Sequence, residues 1–176
     1  MLDERQLLVT LAERLLAHHA ERTTGSAPEP YRLDTRVYTD PELFARERET
    51  LFKQNPLLVC FSPDLPEPGS YFTSDDLGVP ILLTRDRSGK VNAFLNACAH
   101  RGAEVVRSLR GNVESGFRCF YHLWSYDLEG RNTFMTRPEG YTACGLKKED
   151  YGLRPVRTEA IFGLIFVSLN DNVEPL

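Results

Sequence analysis

Two short motifs of cysteine and histidine, both within residues 96–127, decide the fold of this 176-residue chain. The motifs read Cys98-Ala99-His100-Arg101-Gly102 and Cys119-Phe120-Tyr121-His122-Leu123-Trp124. Each motif places one thiol and one imidazole on a tight loop with both side chains directed the same way. Together the loops offer two sulfur and two nitrogen ligands. This donor set predicts a metal centre, and we expect the rest of the chain to position the two loops.

Two kinds of metal centre use two cysteines and two histidines. In a Rieske [2Fe–2S] cluster, cysteines hold one iron and histidines hold the other. In a Cys₂His₂ zinc site the ligands surround one ion, usually as C-x₂₋₄-C with H-x₃₋₅-H on a hairpin and a helix. Here each motif supplies one ligand of each type, and no helical pattern carries the second motif. The spacing favours the cluster, and a structural zinc module stays as an alternative.

The remaining cysteines and histidines are interpreted as structural. Cys60 lies in an apolar run that predicts a buried core position, and Cys144 is predicted to be a free thiol in a loop. His18 and His19 lie near the end of a predicted helix, where a cationic or polar side chain suits the helix dipole. Adjacent helical residues point in different directions, so these two histidines are not expected to chelate one metal.

The composition excludes several functional classes. With a net charge of −4 and a pI of about 5.6, the chain has no basic surface for nucleic acid. The longest uncharged run near the N-terminus, residues 6–12, is too short for a signal peptide. No stretch approaches the roughly 20 apolar residues of a membrane span. We therefore predict a cytoplasmic protein without nucleic-acid or membrane partners, whose oligomeric state the sequence leaves open.

The order of the patterns predicts an N-terminal helical arm and linker over residues 1–30 and one domain over residues 31–176. Leucines at helical spacing predict a first amphipathic helix over residues 3–22, an arm packed on the domain or on a partner subunit. Residues 23–30 have linker composition. A second helix is predicted over residues 41–53, with Pro41 in its first turn.

From residue 56 onward, apolar and β-branched runs alternate with turn sequences, which is typical of antiparallel strands. The predicted fold is mostly β, an antiparallel sandwich or small barrel with two ligand loops, preceded by helices and α+β overall. A turn over residues 159–163 is expected to join the last two strands. The predicted strands are 57–61, 70–73, 80–84, 91–95, 116–119, 124–127, 131–134, 153–158 and 164–169.

The chain from about residue 37 onward resembles the N-terminal part of the alpha subunit of aromatic-ring-hydroxylating Rieske non-haem iron oxygenases. The two ligand motifs are the most specific part of this resemblance. The other matching stretches are residues 38–42, 51–52, 68–71, 91–97, 111–112 and 163–167.

The resemblance implies that the predicted sandwich or barrel is of the Rieske type, and it implies a role for each site residue. Cys98 and Cys119 would hold the buried iron, and His100 and His122 the iron nearer the surface. Arg101 and Gly102 match the pair of residues that the family has in its ligand loop, and Tyr121, Trp124 and Tyr126 match its aromatic run after the second cysteine. The family usually has proline at the position of Phe120 and glycine at that of Leu123. The leucine calls the usual conformation of the loop tip into question, because glycine permits positive φ.

The resemblance also implies a low reduction potential. The respiratory Rieske proteins carry two further cysteines, where this chain has Ala103 and Tyr121, and a serine in place of Trp124 that donates to a cluster sulfur. Fewer hydrogen bonds to sulfur stabilise the reduced cluster less. We therefore expect a midpoint of about −150 mV, at the low end of the Rieske range.

Electron transfer is the function that the resemblance implies. Electrons would come from a ferredoxin or reductase and pass to a mononuclear Fe(II) in an oxygenase catalytic domain or a neighbouring alpha subunit. That iron is held by two histidines and a carboxylate, yet no histidine follows His122. We therefore expect the catalytic domain to be absent and the chain not to hydroxylate a substrate alone. A self-standing Rieske ferredoxin-like carrier is the alternative to an oxygenase domain.

Overall fold

The computed structural model describes residues 3–27, 29–76 and 78–176. Pro28, within the predicted linker, and Met1 and Leu2, within the predicted arm, lie outside the described residues, as does Leu77. The chain divides into two compact units, Met1–Asp40 and Pro41–Leu176. The domain boundary proposed at residue 30 stays a prediction. No helix in the described ranges is long and apolar enough to cross a membrane.

The first unit contains the predicted N-terminal helix. Helix α1 spans Glu4–Glu21, and the side chain of Asp3 caps it by accepting a 2.7 Å hydrogen bond from the Gln6 N–H. The helix ends at Arg22, whose backbone is left-handed. Between Glu4 and Glu21 no residue is buried. A 3₁₀ turn over Thr35–Tyr38 follows.

The second unit begins with a helix that differs in part from the predicted one. Helix α2 spans Pro41–Glu47, and the chain continues over Arg48–Phe52 as a π-helical turn. Later come the short helix α3, Pro138–Thr142, and 3₁₀ turns over Ser62–Asp64 and Lys148–Asp150. Neither α3 nor these two 3₁₀ turns were predicted, because each is too short to show helical periodicity.

The described strands form one seven-stranded and one three-stranded antiparallel sheet, which confirms the predicted mostly-β fold. The larger sheet has the order β1-β10-β9-β4-β3-β2-β5, and the smaller one the order β6-β7-β8. The strands are β1 Leu57–Phe61, β2 Ser70–Ser74, β3 Ile81–Arg85, β4 Val91–Leu95, β5 Arg110–Asn112, β6 Phe117–Arg118, β7 Ser125–Tyr126, β8 Asn132–Phe134, β9 Pro155–Ile161 and β10 Leu164–Ser168.

Two strand features correct the sequence prediction. The exposed strand β5 was not predicted, since Arg-Gly-Asn has no apolar alternation, and it forms by pairing with β2. The turn between β9 and β10 is shorter than predicted. It consists of Phe162 and Gly163, both with positive φ, which is the backbone of a two-residue hairpin turn.

Strand β3 separates two apolar cores. Its residues Ile81 and Leu83 face a core that includes Cys60, Ile165 and Val167, and this confirms the predicted buried position of Cys60. The intervening residue Leu82 faces the other core, which surrounds the two ligand loops. Since successive side chains of a strand point to opposite faces, one apolar strand anchors both cores.

Candidate metal centre

The two ligand loops share one backbone conformation. In the first loop, which follows β4, the Cys98 N–H donates to the Ala103 carbonyl and the Gly102 N–H donates to the Cys98 carbonyl, both at 2.8 Å. In the second, between β6 and β7, the Cys119 N–H donates to the Trp124 carbonyl at 2.8 Å, and the Leu123 N–H donates to the Cys119 carbonyl at 3.0 Å. Each cysteine is thus held by the same pair of hydrogen bonds.

Both loops also turn through a left-handed residue four positions after the cysteine. This residue is Gly102 in the first loop, with φ of 71°, and Leu123 in the second, with φ of 62°. Leucine adopts this conformation at a cost of about 1–2 kcal/mol, because its Cβ crowds the following carbonyl. The loop keeps the conformation that glycine would allow, and it does so under strain.

Glycine at position 123 should therefore stabilise the protein. The Leu123 side chain is 46% exposed, so that its removal forfeits little packing. We expect Leu123→Gly to raise the free energy of unfolding by roughly 0.5–1 kcal/mol. Glycine relieves the strain of the left-handed backbone, but it also gives the unfolded chain more conformational freedom, which offsets part of the gain. Chemical denaturation measures the difference. Leu123→Ala keeps the Cβ and should give no gain, and equal stability of the two variants would contradict the strain.

The loops bring like donors together, although each motif carries unlike donors. Cys98 and Cys119 are 4% and 1% exposed and belong to the same core, and the nearby Cys119 raises the pKa of the Cys98 thiol. The rings of His100 and His122 lie 4.6 Å apart between centroids at an interplanar angle of 75°. In the part of the chain that the structure describes, no three cysteine, histidine or acidic side chains surround a single point. The donors instead form a thiol pair and an imidazole pair.

Three buried nitrogens of the site lack partners in the described part of the chain, one of them Nε1 of Trp124. Nδ1 of His100 and Nδ1 of His122 are buried and have no hydrogen-bond partner among the described residues. Buried polar atoms without partners are uncommon, and an imidazole nitrogen without a protein partner is available to bind a metal. Burial lowers the pKa of His100, with His122 and Arg101 adding to the effect, and so favours the neutral imidazole that binds metal. The donor set fits a two-iron cluster with two cysteines on one iron and two histidines on the other.

Tyr126 supports the thiol pair. Its hydroxyl oxygen accepts a 3.0 Å hydrogen bond from the Ala99 N–H and lies 3.1 Å from the Cys98 sulfur. Because the oxygen already accepts from Ala99, the hydroxyl proton is free to donate to the sulfur. Burial raises the pKa of Tyr126, and the adjacent Cys98 raises it further, which keeps this proton in place. Tyr126 is thus a donor to one of the two predicted sulfur ligands.

Removing the Tyr126 hydroxyl should lower the potential of the site. A hydrogen bond to sulfur stabilises the reduced, more negative state more than the oxidised state. If the difference is about 1 kcal/mol, Tyr126→Phe lowers the midpoint by roughly 40–50 mV for one electron. Protein-film voltammetry measures the shift. Tyr71→Phe is the matched control, since the buried Tyr71 hydroxyl contacts Ser108 instead, and equal midpoints in both variants would contradict the role of Tyr126.

The other predicted site residues surround the imidazole pair. Trp124 is buried and stacks on His100 with 4.9 Å between ring centroids and 12° between planes. The ring of Tyr121 lies 3.9 Å from that of His122 and is exposed. Arg101 is exposed beside His100, and Gly102 forms the turn described above. The structure therefore brings together every residue that the sequence assigned to the site, and their roles as ligands stay a proposal.

Three supporting contacts were not predicted from the sequence. The buried side chain of Asn96 bonds to the backbone of Val105 and Val106, which lie just beyond the first loop. The hydroxyl of Thr136 donates to the His122 carbonyl at 2.6 Å. The guanidinium of Arg107 lies 3.4 Å above the ring of Phe120, which is a cation–π contact. Of Asn96, Thr136 and Arg107, only Asn96 lies within two residues of a motif, and nothing in the sequence shows which backbone groups it meets.

The other cysteines and histidines of the sequence belong to segments other than the two ligand loops. Cys60 is a free thiol in the second core, and Cys144 is a free, exposed thiol. His18 and His19 belong to α1, in the other compact unit, where Nδ1 of His18 lies 2.9 Å from the Thr23 hydroxyl oxygen. These placements agree with the structural interpretation from the sequence.

Comparison with known proteins identifies the family. Residues 55–142 match the family described as Rieske [2Fe-2S] domain. The alpha subunit of 2-aminobenzenesulfonate 2,3-dioxygenase from Alcaligenes sp. is 38% identical over 145 residues, which cover 82% of this chain and 36% of that protein. The alpha subunit of biphenyl 2,3-dioxygenase from Rhodococcus jostii strain RHA1 is also 38% identical over 145 residues, covering 82% and 31%.

A solved structure shares the fold. Naphthalene 1,2-dioxygenase from Rhodococcus sp., bound to indole, superposes with a TM-score of 0.76 at 31% identity, covering 100% of this chain and 38% of that chain. The chain spans about a third of the length of the two curated relatives named above. It belongs to the Rieske [2Fe–2S] domain family and is homologous to part of the alpha subunits of aromatic-ring-hydroxylating dioxygenases.

Proposed function

We propose that this chain transfers electrons, one at a time, through a Rieske [2Fe–2S] cluster. The ligands would be Cys98 and Cys119 on the inner iron and His100 and His122 on the outer iron. The observation that carries the proposal is the sorting of donors, since the loops place thiol beside thiol and imidazole beside imidazole. A cluster with differently ligated irons requires this arrangement. The two orphaned Nδ1 atoms support it further.

The protein's own residues would hold and shield the site. When bound, the cluster supplies a one-electron couple. Both thiols are buried, so water is excluded from the inner side of the site. Tyr126 donates a hydrogen bond to the Cys98 sulfur. Trp124 covers one face of His100 and keeps water from it. His122 lies beside the exposed ring of Tyr121, so an electron-transfer partner can approach the site from that side.

The partners follow from the relatives. Because those relatives are dioxygenase alpha subunits, the donor would be a ferredoxin or a reductase. The acceptor would be a mononuclear iron in an oxygenase catalytic domain or in a neighbouring alpha subunit. The role of this chain is then to relay electrons to that iron, at a midpoint of about −150 mV.

Spectroscopy of the purified protein tests the proposal. We expect a red-brown protein with about two irons and two sulfides per chain and, after reduction, an EPR signal with the low average g value of mixed His/Cys ligation. A reductase with its ferredoxin should reduce the protein in a stopped-flow experiment. A colourless protein with one zinc per chain would overturn the proposal in favour of a structural module. A cluster that no such donor reduces would overturn the assigned donor.

A further inference from the structure

Tyr141 contacts His100 at Nε2, the other ring nitrogen from the orphaned Nδ1. Its hydroxyl oxygen lies 3.3 Å from Nε2 of His100, and its ring meets the imidazole edge-on with 6.1 Å between centroids. The same tyrosine ring packs edge-on against Trp124 at 5.4 Å. His100 is therefore enclosed by the stacked indole of Trp124 on one face and by the phenol of Tyr141 at its outer nitrogen.

We propose that Tyr141 is a positioning residue for His100. The inference rests on the proposed function, in which His100 binds iron through Nδ1. With Nδ1 on the metal, the ring proton must reside on Nε2, and Nε2–H donates to the Tyr141 oxygen. This hydrogen bond selects the tautomer that leaves Nδ1 free for iron. The two aromatic rings hold the imidazole in one plane.

The position of Tyr141 is itself held by its surroundings. Helix α3, which carries it, begins after Arg137, whose left-handed backbone redirects the chain. The Tyr141 carbonyl accepts hydrogen bonds from the N–H groups of Cys144 and Leu146 at 3.0 and 3.2 Å. The tyrosine is half-buried against the core that surrounds the ligand loops. An anchored acceptor can orient a ligand, whereas a mobile surface side chain could not.

The hydrogen bond has two expected consequences for the bound cluster. Partners of this kind typically contribute 10- to 100-fold to metal affinity, because they hold the ligand in its binding orientation. Accepting from Nε2–H also makes the imidazole a stronger electron donor, which favours the oxidised state. Without the hydroxyl, the ratio of reduced to oxidised protein at a fixed potential should rise about threefold.

The test compares Tyr141→Phe with Tyr151→Phe in the cluster-loaded chain. Tyr151 is the matched control, since its ring also packs edge-on against Trp124, with 5.9 Å between centroids. Of the two substitutions, only Tyr141→Phe removes a hydroxyl that lies beside His100. The readouts are the rate of cluster loss to an iron chelator, the midpoint potential and the histidine ¹⁴N couplings in pulsed EPR. Emission from Trp124, the only tryptophan, monitors packing.

We expect Tyr141→Phe to lose the cluster about tenfold faster than wild type, to reduce more easily and to show altered couplings for one histidine. Tyr151→Phe should match wild type in all three readouts. If the two variants behave alike while the wild type holds its cluster, the proposed role of Tyr141 is wrong, whereas the proposed function stands. A wild-type protein without iron and sulfide overturns both. Should Tyr141→Phe also shift the Trp124 emission, the midpoint decides between the two explanations, and a midpoint equal to that of Tyr151→Phe overturns the inference.

Discussion

Alanine in place of Cys98 is expected to yield a colourless protein that binds essentially no iron. In the proposed site this cysteine is one of two thiolate ligands to the buried iron, and no other thiol lies in the same core except its partner Cys119. Burial raises the pKa of the Cys98 thiol, and the nearby Cys119 raises it further, so the thiolate of Cys98 needs the positive charge of iron. Without Cys98, the buried iron would keep only Cys119 as a protein ligand and would not be held.

Iron and sulfide analysis, with the visible spectrum, measures this effect. Cys60→Ala is the matched control, because Cys60 is equally buried but lies in the other core. Burial and the nearby Asp64 carboxylate raise the pKa of Cys60 to about 12, against a smaller opposing effect of Arg85, so it stays a neutral thiol. We expect the control to keep about two irons per chain. Full iron content in Cys98→Ala would contradict the ligand assignment.

Replacing Asn96 with alanine is expected to cost about 3–5 kcal/mol of folding free energy. The side chain is 1% exposed and makes three hydrogen bonds to the backbone. Its Nδ2 donates to the Val106 carbonyl at 2.6 Å, and its Oδ1 accepts from the N–H groups of Val105 and Val106 at 3.1 and 3.0 Å. Alanine leaves three buried backbone groups without partners, each at a cost of roughly 1–3 kcal/mol.

Urea denaturation of the two asparagine variants Asn96→Ala and Asn112→Ala measures this cost. Asn112 is exposed and makes two long side-chain hydrogen bonds of 3.3 Å, so its loss should cost less than about 1 kcal/mol. Because Asn96 ties the strand before the first ligand loop to the segment after it, Asn96→Ala should also retain less iron. Similar unfolding free energies for the two variants would show that the Asn96 network contributes little.

Much of the fold could be predicted from the sequence because its signals are local. Strand β1 and strand β4 have the predicted bounds, since each is a run of apolar residues between turn sequences. The placement of both motifs at strand ends followed from the same pattern. Strand β5 escaped prediction because its sequence carries no β signal and its strand geometry comes from pairing with β2.

The second ligand loop shows where local rules were overridden. Glycine is the residue that a left-handed position favours, and Leu123 therefore called the loop conformation into question. The loop nonetheless adopts it, because the hydrogen bonds of Cys119 to Trp124 and Leu123 close the turn. Their contribution, with the packing of the buried Trp124, exceeds the strain of one residue.

The sequence by itself determined the family, the mostly-β fold and the chemical identity of the donors, because these depend on residue types at fixed spacing along the chain. The spacing left open how the donors are sorted, and the resemblance implied thiols on one iron and imidazoles on the other; only the tertiary structure shows which side chains meet. Cys98 meets Cys119, Tyr126 meets Cys98 and Tyr141 meets His100, and each of these contacts joins residues from separate loops or elements. Such contacts depend on how the sheets pack. Spacing within a motif constrains only the relative positions of residues close in sequence, whereas the packed core brings distant segments together.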